Sequence, residues 1–217
     1  MCFSAEASFT AAAVLGVVGC VTLKQVSSKN YLYLALIPLM FALQQFAEGI
    51  IWLFLRGNLQ QSAWFHAALY TYLIFAFAVW PFWIPLSYLK IEPQWQERTL
   101  FFPIVALGAL LAVFNIIQIV LFPVKAQIVS HSIQYTLNIS AQPDFSITSM
   151  SYIAAVTLPF FISSIKNSYI YGFVVIVSII IVEYLYAYAF ASVWCFFAAI
   201  FSIIVYKGIK DLKKAKS

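Results

Sequence analysis

Between Arg98 and Lys125 the chain has no charged residue, and Leu, Ile, Val, Phe and Ala dominate the run. An α-helix needs about 20 apolar residues to cross the hydrocarbon core of a bilayer, and this run exceeds that. It is one of seven. The apolar segments are residues 5–23, 31–55, 62–89, 99–122, 148–164, 169–188 and 193–207. Of the chain, 64% is hydrophobic and 9% charged, against about 45–50% and about 25% for soluble domains. A water-soluble fold has too little interior to bury that much apolar side chain, so the solvent is lipid. The expectation is an all-α integral membrane protein, a bundle of seven transmembrane helices.

Several ends of these segments have a chemical cause. Ser4 is suited to cap the first helix and Ser192 the last. Arg56 to Asn58 break the chain after the second segment, and Pro123 stops the fourth. The sixth and seventh are separated by a few residues with no Gly or Pro, so one kinked helix is the alternative there. No basic region precedes the first segment, which therefore reads as a permanent span, not a cleaved signal.

The cations set the orientation. With the N-terminus outside, Lys24, Lys29, Lys90, Arg98, Lys166, Lys207, Lys210, Lys213, Lys214 and Lys216 fall inside, and only Arg56 and Lys125 outside. That asymmetry follows the positive-inside rule. Residues 1–208 are expected to form one membrane domain and residues 209–217 a basic cytoplasmic tail. The net charge of +5 then serves topology and contact with anionic lipid, and no nucleic-acid partner is implied. One outer connection is long, residues 123–147. Ile133, Tyr135, Leu137 and Ile139 alternate there with polar residues, the period of a strand. Val124 to Val129 alternate more weakly, and Ser130 to Ser132 suit a turn. A small outer β-hairpin between helices 4 and 5 is expected, lying over the mouth of the bundle. Asn138 opens a glycosylation sequon.

Polar residues inside the spans mark where function gathers, because a charged group at membrane depth costs at least a few kcal/mol and normally faces the bundle interior. In the second span Gln44, Gln45 and Glu48 share one helical face. Glu48 stands about 12 Å from Arg56 at 1.5 Å per residue, Trp52 continues its face, and Gly49 permits close helix approach. His66 lies early in the third span, Asn115 and Gln118 late in the fourth, and Glu183 late in the sixth. Trp194 and Cys195 open the seventh, and Glu6 opens the first. All fall in the outer third of the membrane. A shared pocket is expected, although each residue also has an ordinary structural reading: a hydrogen-bonded acid, an interfacial ring, a small buried thiol. Trp80, Trp83 and Trp95 read as an inner interfacial belt.

Three separated motifs, "MCFSAEASF", "QQFAEGIIW" and "SVWCFFAA", resemble those of an uncharacterised family of mostly bacterial multi-pass membrane proteins. The resemblance emphasises Cys2, Phe3, Ser4, Gln44, Gln45, Glu48, Gly49, Trp52, Trp194 and Cys195. It implies a bacterial inner membrane but no activity. If Met1 is removed, Cys2 presents an amine and a thiol at the outer surface.

Three functions are open at this stage. The first is binding or transport of a small ligand or proton, with Glu48 and Glu183 as protonatable groups and the amides as partners. The second is an intramembrane enzyme acting on lipid or another apolar substrate. Glu48, His66 and Glu183 would there hold a metal or act as acid and base, and Cys195 or Cys2 would be the nucleophile. The third is a sensor with a separate output partner. The residues name no cofactor and set no oligomeric state.

Overall fold

The computed structural model describes residues 4–60, 62–137 and 147–214. Helix α1 (Ala5–Lys24) starts as expected: the Ser4 hydroxyl accepts the Ala7 N–H at 3.2 Å. A 3₁₀ turn (Lys29–Tyr31) and the short α2 (Leu32–Ala35) lead into α3 (Ile37–Arg56). The apolar segment 31–55 is thus interrupted near its start. Pro38 has no N–H to give the preceding turn and sits instead in the first turn of α3, where none is needed.

Next come α4 (Ala63–Ile74), a π-helical segment (Phe75–Val79) and α5 (Trp80–Ile91), which form one continuous helical stretch. Helix α6 (Trp95–Leu121) ends just before Pro123. After the hairpin strands follow α7 (Ile147–Ile162), α8 (Ser168–Tyr186), a 3₁₀ turn (Ala187–Ala189) and α9 (Phe190–Lys214).

Among the described residues, five helical stretches are long and apolar enough to cross a membrane: Ala5–Lys24, Lys29–Arg56, Ala63–Ile91, Trp95–Leu121 and Ser168–Lys210. Helix α7 is apolar but has 16 residues. The last of the five folds back on itself. Val177 and Ser178 of α8 and Phe197 of α9 line one small cleft, so the two helices lie side by side and the turn at Ala187–Ala189 joins them. Helix α9 also runs past Lys207, where the apolar segment ends, to Lys214.

Helix α3 is the centre, in contact with α1, α4 and α9. Gly49 makes this possible, since a Cβ there would stand 2.7 Å from the Phe9 ring of α1. Gly108 of α6 lies against the Pro81 carbonyl, with no room for any side chain. The π segment beside that contact has a chemical origin. The Trp80 N–H bonds the Phe75 carbonyl, one residue further back than in an α-helix. The next donor would be Pro81, which has none. The freed carbonyls are taken from outside: Asn115 Nδ2 donates to Phe77 O at 2.9 Å, and Tyr152 Oη to Ala76 O at 2.6 Å.

Strands β1 (Val124–Val129) and β2 (Ser132–Leu137) pair antiparallel, from Val124 opposite Leu137 to Val129 opposite Ser132. Ser130, at φ 54°, makes the turn with His131. Ile133 is fully buried, Tyr135 stacks on Tyr72 of α4 at 4.7 Å between centroids, and the sheet contacts α3 and α9. The hairpin is therefore part of the folded unit and covers one end of the bundle. At the opposite end Glu92 is buried between α5 and α6. Its carboxylate accepts from the Ser163 hydroxyl at 2.8 Å, from Ser164 N–H at 3.1 Å and hydroxyl, and from Gln94 N–H at 3.2 Å. That tie fixes the end of α7 to the α5–α6 connection.

Candidate functional site

Glu48, Gln44 and Gln45 are fully buried on α3. A polar face in the middle of an apolar helix has to find partners: Gln44 and Glu48 find them on α5 and α9, and Gln45 pairs with Glu48 on its own helix. Glu48 Oε1 accepts the Ser192 hydroxyl at 2.6 Å, and Glu48 Oε2 faces Gln45 Nε2 at 3.3 Å. Gln44 Oε1 accepts the Trp80 indole N–H at 2.8 Å, and its Nε2 donates to Cys195 Sγ at 3.1 Å. The Tyr72 hydroxyl donates to the Ala191 carbonyl at 2.9 Å and adjoins the Cys195 thiol. Tyr152 packs edge-on to Trp194, the residue before Cys195, at 6.2 Å between ring centroids.

The result is one network across α3, α4, α5 and α9, roofed by the hairpin through Tyr135 on Tyr72. Its apolar walls are specific. The Trp80 ring stacks on Phe41 at 3.9 Å, and Trp194 on Phe190 at 6.0 Å. Among the described residues, four buried polar atoms on these helices and on α1 have no hydrogen-bond partner: Gln45 Oε1, Trp52 Nε1, Trp194 Nε1 and Ser8 Oγ. Interior polar groups are rarely left so.

The whole chain, residues 1–217, matches the model of a family of unknown function, DUF6629. The protein belongs to that family. No curated protein and no solved structure matches. For this DUF6629 chain, chemistry has to come from the geometry.

That geometry brings together fewer residues than the sequence suggests. Gln44, Gln45, Glu48 and Cys195 meet directly. Trp52 and Trp194 are buried on the same two helices. Glu183 does not join them; it is exposed on α8, beside the exposed Tyr184 and Leu185. His66 is exposed too, with Nδ1 3.0 Å from the Ser62 carbonyl one turn earlier. Depth along a helix locates a residue only on a ring, and these two point away from α3. Glu48, His66 and Glu183 therefore do not converge as a metal set, and no group of three His, Cys, Asp or Glu side chains is placed to hold an ion among the described residues. Asn115 serves the π segment, not the pocket. Glu6 lies on the surface, paired with Arg56 at 3.3 Å, and Arg56 in turn lies 5.5 Å over the Trp52 ring. Cys2, Asn138 and Ile139 fall outside the described residues.

Other residues of the site escape sequence reading. Ser192 is not the cap of the last helix; α9 begins at Phe190, so Ser192 lies within it and its hydroxyl donates to Glu48. Trp80 is not part of an interfacial belt but buried at the centre. The one available signal was Pro81, which marks where the helix must open and turn its neighbour inward. Nothing in the sequence marks Tyr72.

Proposed function

We propose that this DUF6629 protein crosses a bacterial inner membrane seven times, N-terminus outside, and binds or transports a small polar ligand together with a proton at Glu48. Seven crossings follow if α7 spans, tilted little, and if α8 and α9 each span. The side-by-side contact of α8 and α9 and the gathering of lysines at one end support that count and orientation.

The observation that carries the function is the fully buried Glu48 carboxyl, held by a serine hydroxyl from α9 and flanked by an amide from its own helix. A carboxyl at this depth is costly and is usually kept for a proton or ligand path. The indole N–H groups of Trp52 and Trp194 and the Gln45 carbonyl are spare donors and an acceptor for a small polar molecule. The π segment between α4 and α5 is a place where the wall can hinge, as such irregular turns do near functional sites.

Infrared difference spectra in nanodiscs, cycled between acid and neutral buffer, test the proton. A carboxyl C=O band that is lost in Glu48→Gln and kept in Glu92→Gln is the expected result. If both variants keep the band, Glu48 does not titrate and the reading fails. Dye-reported proton flux into proteoliposomes, wild type against Glu48→Gln, tests transport.

A further inference from the structure

A cleft of about 440 Å³ lies between α1 and α9 and opens on the side of the bundle. Ala7, Ala11 and Leu15 form one wall and Phe196, Ala199 and Ile203 the other. Thr10 also faces it, but its hydroxyl is committed to the Glu6 carbonyl at 2.7 Å, so the wall is apolar. The exposed Val17 and Val21 continue the same helix beyond the cleft, so it opens onto the apolar flank of the bundle, where lipid would lie. From Glu6 to Leu15 the slot runs about 14 Å at 1.5 Å per residue. At the end nearer the hairpin the lining reaches Glu6, and the Glu6–Arg56 pair stands there with side chains 74% and 45% exposed.

An elongated apolar slot with an anion and a cation side by side at one end is complementary to an amphiphile with a dipolar head. We propose that this cleft binds a phospholipid carrying a primary ammonium, of the phosphatidylethanolamine class. One acyl chain lies along α1 and α9, the ammonium donates to Glu6, and the phosphate pairs with Arg56. Exposed ion pairs are weakly held, so Glu6 and Arg56 exchange each other for the two halves of the headgroup. A quaternary ammonium has no N–H for the carboxylate. An anionic glycerol headgroup offers Glu6 no cation and sets a phosphate beside it. The site is independent of the Glu48 network, which does not line it.

Native mass spectrometry of the full chain, titrated with phosphatidylethanolamine, phosphatidylcholine and phosphatidylglycerol of matched acyl chains, tests this. Phosphatidylethanolamine is expected to bind at least about tenfold more tightly than the other two. Glu6→Gln should erase the preference over phosphatidylcholine, and Arg56→Gln should weaken both. Ala11→Phe, which fills the slot, should remove the adducts of all three lipids. The proposal is overturned by equal binding of the three lipids to the wild type, or by a preference that survives Glu6→Gln. A dimer that Ala11→Phe dissociates, in place of lipid adducts, would overturn it in favour of a second copy of the chain. Glu6 is exposed and carries no packing, so its variant remains readable even if Ala11→Phe fails to fold.

Discussion

The Ser192 hydroxyl donates to Glu48 Oε1 at 2.6 Å, joining the third helix to the last across 144 positions of sequence. This bond and the Gln44–Cys195 contact, one helical turn away on both helices, clamp α9 onto α3. Removing the donor leaves a buried acceptor short of a partner, which costs about 1–3 kcal/mol. Ser192→Ala is therefore expected to lower thermal stability in detergent, and Ser192→Thr to retain most of it. In a double-mutant cycle with Glu48→Gln the two effects should be non-additive, by roughly 0.5–3 kcal/mol as for groups in contact. Strict additivity would mean that the two side chains do not interact.

Trp80 joins α5 to the same network. Trp80→Phe keeps the stacking on Phe41 but loses the N–H that Gln44 Oε1 accepts, so a loss of about 1–3 kcal/mol is expected from the unpaired amide oxygen. Comparing Cys195 labelling in Trp80→Phe and Trp83→Phe separates this from a general effect of replacing an indole. Trp83 donates to the Tyr33 carbonyl at 2.9 Å and lies outside the Glu48 network, so its variant should leave the Cys195 environment unchanged.

The π segment offers a sharper test. Asn115→Ala and Tyr152→Phe each strip a donor from a carbonyl that Pro81 cannot serve, and each should cost about 1–3 kcal/mol. Pro81→Ala returns a backbone N–H. In that background the same two substitutions should cost less, and the π turn should relax toward α-helix. If Pro81→Ala leaves both costs unchanged, the proline is not what opens the turn. Unfolding curves of both backgrounds and of the two substitutions in each decide it.

Gly108→Ala drives a methyl group into the Pro81 carbonyl. A flexible side chain could move aside; a backbone carbonyl in a helix cannot. Overpacking ordinarily costs about 1–3 kcal/mol and occasionally more, and this site is expected at or above the top of that range. Gly208 has open space around it, and Gly208→Ala should be neutral or slightly stabilising through helix propensity. Size-exclusion profiles and melting temperatures of the two variants make the comparison.

Thiol accessibility probes the site in its native membrane. Cys20 is exposed and Cys195 buried. In a Cys2→Ser, Cys20→Ser background a membrane-permeant maleimide should label Cys195 only after denaturation. Ser192→Ala or Glu48→Gln should speed Cys195 labelling if the network holds α9 in place. Rapid labelling of wild-type Cys195 would show that α9 is not clamped.

Much of this protein is legible in its sequence. The long uncharged runs are enough to expect apolar helices, and among the described residues five helical stretches are long and apolar enough to cross a membrane. The alternation from Ile133 to Leu137 is enough to expect strand β2, and the helical spacing of Gln44, Gln45 and Glu48 shows that one face of α3 needs polar partners. Those are one-dimensional properties: period, length and charge. Which partners answer that face is not one-dimensional. Glu48, Glu183 and His66 stand at similar expected depths, yet only the azimuth of each helix, set by contacts such as Gly49 on Phe9 and Gly108 on Pro81, turns Glu48 inward and leaves the other two exposed. Ser192 passes for a helix cap and Trp80 for an interfacial ring until the packing of α9 and the opened turn before Pro81 carry them to Glu48 and Gln44. Helical period and polarity require that buried polar groups be paired; packing chooses the partners, because helix rotation is fixed by side chains far apart in the chain.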